Sequence, residues 1–174
     1  MLILMAATGM FISGCHNNRD SSGLNGQQAE ALAGTGASVE NEIAEGTLVA
    51  YVSNGKTDRV AKLICNETGA DIQELSVDQG QGLELSGYGS VFLVFSMSSG
   101  ELPETVTAFL SQDELREKTV IPVCMTPGVD AETLNQMILE YISEIELMDA
   151  FLEPAEDTLT KDINTWLSDM GYHQ

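Results

Sequence analysis

From Gly46 onward the chain alternates short, almost continuous apolar runs with stretches in which apolar residues recur three or four positions apart. T-L-V-A-Y-V-S at 47–53, V-F-L-V-F-S at 91–96 and T-V-I-P-V-C-M at 119–125 are runs of the first kind. Strands covered on both faces read this way, because neither set of alternate side chains meets water. D-I-Q-E-L-S at 71–76 alternates apolar with polar residues, as an edge strand does, and a last strand is expected near 146–152. Helical spacing appears in Val60, Ala61, Leu63 and Ile64, with Gly69 placed to close that helix. It returns in P-E-T-V-T-A-F-L at 103–110, where Pro103 suits a first turn. Two more helices are predicted over about 130–143, from Leu134, Met137, Ile138 and Tyr141, and over about 156–169, from Leu159, Ile163, Trp166 and Leu167.

Strands alternating with helices over short connections predict an α/β fold with a parallel sheet and helices on both faces. Ligands of such sheets bind beyond the carboxyl ends of the strands, at the switch point in strand order. The loops at 53–58, 96–102 and 125–130 are therefore the candidate site.

The first 45 residues follow a different pattern. Residues 1–14, M-L-I-L-M-A-A-T-G-M-F-I-S-G, are apolar and uncharged, and the chain turns polar at Cys15. That run is shorter than the about 20 residues of a membrane-spanning helix but fits the apolar region of an export signal. Its ending, Ile12-Ser13-Gly14-Cys15, resembles a bacterial lipobox, which implies that Cys15 is lipidated and becomes the mature N-terminus; the alternative is a buried N-terminal strand or helix that happens to end in Cys. A basic segment before the apolar run is missing, so either the start lies upstream of Met1 or the signal is weak. Residues 15–45 are rich in Ser, Asn, Gln, Gly and Ala and read as a flexible tether, leaving 46–174 as the folded domain. The expectation is an exported domain held at a bacterial membrane by its lipid anchor alone.

Composition narrows the partners. Seven basic against 27 acidic residues give a formal charge of −20, and no cluster of Lys and Arg forms a nucleic-acid footprint. The hydrophobic content of 43% is too high for disorder, so the charge should decorate a folded body. His16 and His173 sit at the two ends; no Ser/His/Asp set, HExxH or paired-cysteine motif supports hydrolysis or a metal site. Cys65, well inside the first helix, and Cys124, at the other end of the sheet, are too far apart for a bridge to each other, and Cys65 reads as a core thiol.

Taken in order, L-V-A-Y-V-S with its Gly/Thr turn and helix, T-G-A-D-I-Q-E-L, L-S-G-Y-G-S-V-F-L-V-F, G-E-L-P-E-T-V-T-A-F-L and K-T-V-I-P-V-C resemble the flavodoxin family. The resemblance covers about three quarters of the chain. It implies a three-layer sandwich, a five-stranded parallel sheet in the order 2-1-3-4-5, and FMN held noncovalently at the strand ends for electron transfer. Only 77–89 join the second and third strands, so the family's second helix is expected to be reduced or absent. Pro122 within an internal strand departs from the general rule but is tolerated in the family.

Carried onto this chain, the resemblance makes Ser53, Asn54, Gly55, Lys56 and Thr57 the phosphate loop. Met97, Ser98, Ser99 and Gly100 would flank one face of the ring and Met125, Thr126, Pro127 and Gly128 the other. The phosphate loop is one residue shorter than the family's, and neither ring loop holds an aromatic residue; Tyr51 and Tyr88 are the candidates to enter from elsewhere. Lys56, Arg59 and Lys62 place three of seven basic residues in one helix, where a cation in the first turn opposes the helix dipole unless an anion is near. Solvated charges on an acidic surface are the alternative. G-K-T also resembles a Walker loop, but the leading glycine would fall at Ala50. Two functions from different classes stand: an exported FMN-binding electron carrier, with an unidentified redox partner, and a cofactor-free flavodoxin-fold binding module at the cell surface.

Overall fold

The computed structural model of the chain describes residues 13–14, 46–77, 83–154 and 158–172. Residues 1–12 of the expected export signal and the tether at 15–45, with Cys15, lie outside the described residues. The elements in chain order are β1 (Gly46–Tyr51), α1 (Lys56–Thr68), β2 (Asp71–Glu74), β3 (Tyr88–Phe95), α2 (Glu104–Leu110), β4 (Thr119–Cys124), α3 (Ala131–Leu139), β5 (Glu146–Leu147), β6 (Phe151–Leu152) and α4 (Leu159–Asp169). A 3-10 turn at Asp113–Glu117 was not legible in the sequence. Gly69 ends α1 at φ 71°, its N–H bonded to the Cys65 carbonyl, as its position predicted.

The strands pair in parallel in the order β2-β1-β3-β4, with β5 and β6 together forming the fifth strand against β4. This is the expected 2-1-3-4-5 sheet. Ser13–Gly14 forms a two-residue strand antiparallel to β2, with Gly14 opposite Asp71. The described residues between β2 and β3 carry no helix.

The fifth strand is broken for a reason that lies in its neighbour. Val120 and Cys124 turn their carbonyls toward it, accepting from Met148 and Glu153 N–H, whereas Met125 donates to Phe95 on the other side. By the alternation of a parallel strand Pro122 also faces the fifth strand, and it has no N–H. Pairing resumes on either side, at Val120 opposite Leu147 and at Val123 opposite Phe151.

Alternate side chains of the sheet feed two cores. Leu48, Ala50, Val91, Leu93, Phe95 and Val120 pack under α2 and α3, against Val106, Phe109, Leu134 and Ile138. Val49, Phe92, Val94, Ile121 and Val123 pack on the other face under α1 and α4, against Val60, Ile64, Ile163 and Leu167. Both faces of β1, β3 and β4 are thus dry, which is why their sequences are continuous apolar runs. Phe92 anchors an aromatic cluster, with Trp166 edge-on at 5.9 Å and Tyr172 at 5.3 Å between ring centroids. The three layers hold the loops after β1, β3, β4 and β6 along one edge.

Candidate functional site

At the end of β1 the chain turns directly into α1, and Asn54 organises the turn. Its Oδ1 accepts from the backbone N–H of Lys56 at 3.2 Å and of Thr57 at 3.0 Å. These are the open donors of the helix start, so Asn54 is the side-chain cap of α1. The Thr57 hydroxyl is buried, donating to the Val52 carbonyl at 2.6 Å and accepting from Asn54 N–H at 2.9 Å. Ser53 donates its hydroxyl to Asp58 at 2.8 Å. The expected phosphate loop at 53–57 is divided by the structure between the turn at 53–55 and the first turn of α1 at Lys56 and Thr57, and sequence reasoning did not foresee that its donors bond among themselves. The signal was present: Asn54 stands three residues before Thr57 at the start of an amphipathic helix, the ordinary spacing of a cap.

Lys56 extends from the first turn of α1 to Glu153, just beyond β6, and forms an ion pair with its Oε1. The Glu153 side chain is only 8% exposed against 40% for Lys56, and Glu153 Oε2 is buried with no hydrogen-bond partner. Both residues, with Arg59, Met125 and Leu159, line a cavity of about 340 Å³ beside the helix start. The anion that the dipole argument demands near Lys56 is therefore the protein's own carboxylate. Glu153 was missed from the sequence, since it lies 97 positions from Lys56 and no local pattern joins them.

The loops after β3 and β4 are tied to each other at their base. Ser96 donates its hydroxyl to the Met125 carbonyl at 3.0 Å, and Met97 N–H donates to the Thr126 hydroxyl at 2.6 Å. Beyond that point Ser98, Ser99 and Gly100 make an exposed tight turn closed by Glu101 N–H on the Ser98 carbonyl at 3.1 Å. Ser99 at φ 56° and Gly100 at φ 80° lie in the left-handed region this turn requires. Pro127 and Gly128 are exposed on the facing loop. The two methionines part company: Met97 packs on the α2/α3 side of the sheet and Met125 is buried on the α1/α4 side. Tyr88 does not reach this edge, because it sits at the amino end of β3 with its hydroxyl on Asp71 at 3.0 Å. Burial first, and then Asp71, push its phenol up to about 12. Tyr51, at the end of β1, packs against the α1/α4 core, and burial followed by the Glu74 charge raises its phenol as well.

Cys124 is free and buried, and burial raises its thiol above the ordinary value despite the opposing Thr126 hydroxyl. It is thus a thiol packed in the core. Cys65 is buried in the α1/α4 core as expected, but it is disulfide-bonded rather than a free thiol.

No protein-family model matches the chain, and no curated protein does. Solved structures do. A candidate flavoprotein from Bacteroides uniformis is 18% identical with a TM-score of 0.61, over 71% of this chain and 97% of that one. A flavoprotein from Lactobacillus acidophilus, solved in complex with FMN, is 15% identical with a TM-score of 0.52, over 68% and 98%. The two-electron reduced flavodoxin of Megasphaera elsdenii is 17% identical with a TM-score of 0.52, over 68% and 95%. With the strand order, these likenesses define the class: the chain has a flavodoxin-like α/β fold.

Proposed function

We propose that the chain is an exported flavodoxin-like protein, anchored through lipidated Cys15, that binds FMN noncovalently and transfers electrons. The observation that carries the reading is the start of α1 at the carboxyl edge of the sheet, with Lys56 and Arg59 beside one cavity in a chain of net charge −20. A helix start flanked by two cations is a donor set that fits a phosphate monoester. The loop at 53–57 would hold the phosphate, with 97–100 and 125–128 on either side of the ring. FMN, when bound, supplies the redox chemistry, and the chain binds and orients it and sets the surrounding field. The strongly negative protein disfavours added negative charge on its cofactor and so lowers the reduction potential. The solved relative with FMN supports this assignment of ligand.

Two observations favour the second reading, a cofactor-free binding module. The Asn54 carboxamide occupies the N–H groups of Lys56 and Thr57, and the ring loops offer no aromatic side chain. Titrating the purified full chain with FMN and with riboflavin separates the two. Binding that depends on the phosphate supports the carrier, and no binding of either supports the module.

A further inference from the structure

The N–H groups of Lys56 and Thr57 and the Lys56 ammonium, at the start of α1, each meet an internal partner. Asn54 caps the N–H groups of Lys56 and Thr57, and the Lys56 ammonium is drawn to Glu153. Of these partners only Glu153 is charged. Its backbone is fixed as the continuation of β6, with its N–H on the Cys124 carbonyl at 3.0 Å, so the carboxylate cannot withdraw far from the cavity. Its side chain is 8% exposed and its Oε2 has no partner, leaving a half-compensated negative charge in a poorly hydrated place.

We infer that Glu153 sets the phosphate affinity of this site: its carboxylate competes with a ligand's phosphate group for the Lys56 ammonium. The inference rests on the flavin reading only for the identity of the phosphate carrier. While Lys56 stays on Glu153 the cavity presents, among the described residues, one cation, Arg59, and one carboxylate oxygen that repels an anion. A phosphate that enters must draw Lys56 away or share it, and either leaves Glu153 less compensated. Glu153 is a positioning residue, acting through Lys56 and the local field rather than by touching the flavin.

The test compares FMN, riboflavin and inorganic phosphate on the full chain. Glu153→Gln keeps the size and an oxygen for Lys56 but removes the charge. It is expected to tighten FMN binding about tenfold or more, the effect of one charge removed within several ångströms of an anion. Riboflavin binding should stay within about twofold, because it lacks the phosphate. Lys56→Gln should weaken FMN binding by about tenfold in the Glu153→Gln background and by clearly less in the wild type, since there the ammonium is already engaged. Equal changes for FMN and riboflavin, or unchanged FMN affinity in Glu153→Gln, would overturn the inference. If neither flavin binds either protein, the flavin reading fails separately, and phosphate titration followed by NMR at the Gly55 and Lys56 amides decides. A response gained in Glu153→Gln upholds Glu153 as the competing anion, and the absence of a gain rejects it.

Discussion

Replacing Asn54 changes folding and ligand binding in opposite directions, because one side chain occupies the donors that a phosphate would use. Asn54→Ala removes the acceptor from the N–H groups of Lys56 and Thr57. Loss of such a cap costs about 1 kcal/mol, within a range of about 0.5–2. FMN would fill the same donors, so the bound form recovers what the free form lost. The thermodynamic cycle then requires FMN to bind about fivefold more tightly to Asn54→Ala, the equivalent of about 1 kcal/mol. Asn54→Asp is the complement. It keeps the acceptor and adds a negative charge at a helix start, worth about 0.3–1 kcal/mol to the free protein. Against a phosphate, a carboxylate about 5 Å away costs between about 1 and 3 kcal/mol per charge, so FMN affinity should fall by one to two orders of magnitude. Urea unfolding followed by circular dichroism, with and without saturating FMN, reads both effects. An Asn54→Ala chain as stable as the wild type, or an Asn54→Asp chain that binds FMN as well, would refute the reasoning.

Raising the pH tests the opposite end of the sheet. The Tyr88 phenol has a folded value of about 12 against an ordinary value of 10.0, so the folded state holds its proton longer and stability falls as pH rises from about 10 to 12. Tyr88→Phe should shrink that fall and cost about 1 kcal/mol below it, measured by urea unfolding across the pH range; an unchanged slope would contradict the burial and the Asp71 contact that together raise the phenol. Phe92, fully buried against Trp166 and Tyr172, should cost about 3–5 kcal/mol when changed to Ala and should alter tryptophan fluorescence, whereas a loss under about 1 kcal/mol would mean the cluster is not packed as described. Intact mass of protein from a membrane fraction should show the lipid increment, and Cys15→Ser should release the chain; an unmodified wild-type mass would reject the anchor.

The parts of the fold legible in the sequence were those set by burial. β1, β3 and β4 are dry on both faces, and their unbroken apolar runs announce it. Gly69 at the end of α1 was equally plain, because a left-handed residue favours glycine. The fifth strand read as one segment because its break originates in Pro122, which is distant in sequence and acts only through pairing with β4. At the site, the loops were legible from topology and the bonds within them were not. Asn54 and Lys56 were named as ligands of a phosphate, and the structure places a carboxamide and a carboxylate against the same donors. Glu153 belongs to no motif and joins the site only because β6 and α1 end on the same edge of the sheet.

Titration of the purified full chain with FMN, read by quenching of flavin fluorescence and set beside the same titration with riboflavin, tests the central claim most directly. The carrier reading predicts a dissociation constant of about 1 μM or tighter, near −8 kcal/mol, with riboflavin markedly weaker. FMN fluorescence unchanged at about 100 μM protein, a limit near −5 kcal/mol, would contradict it.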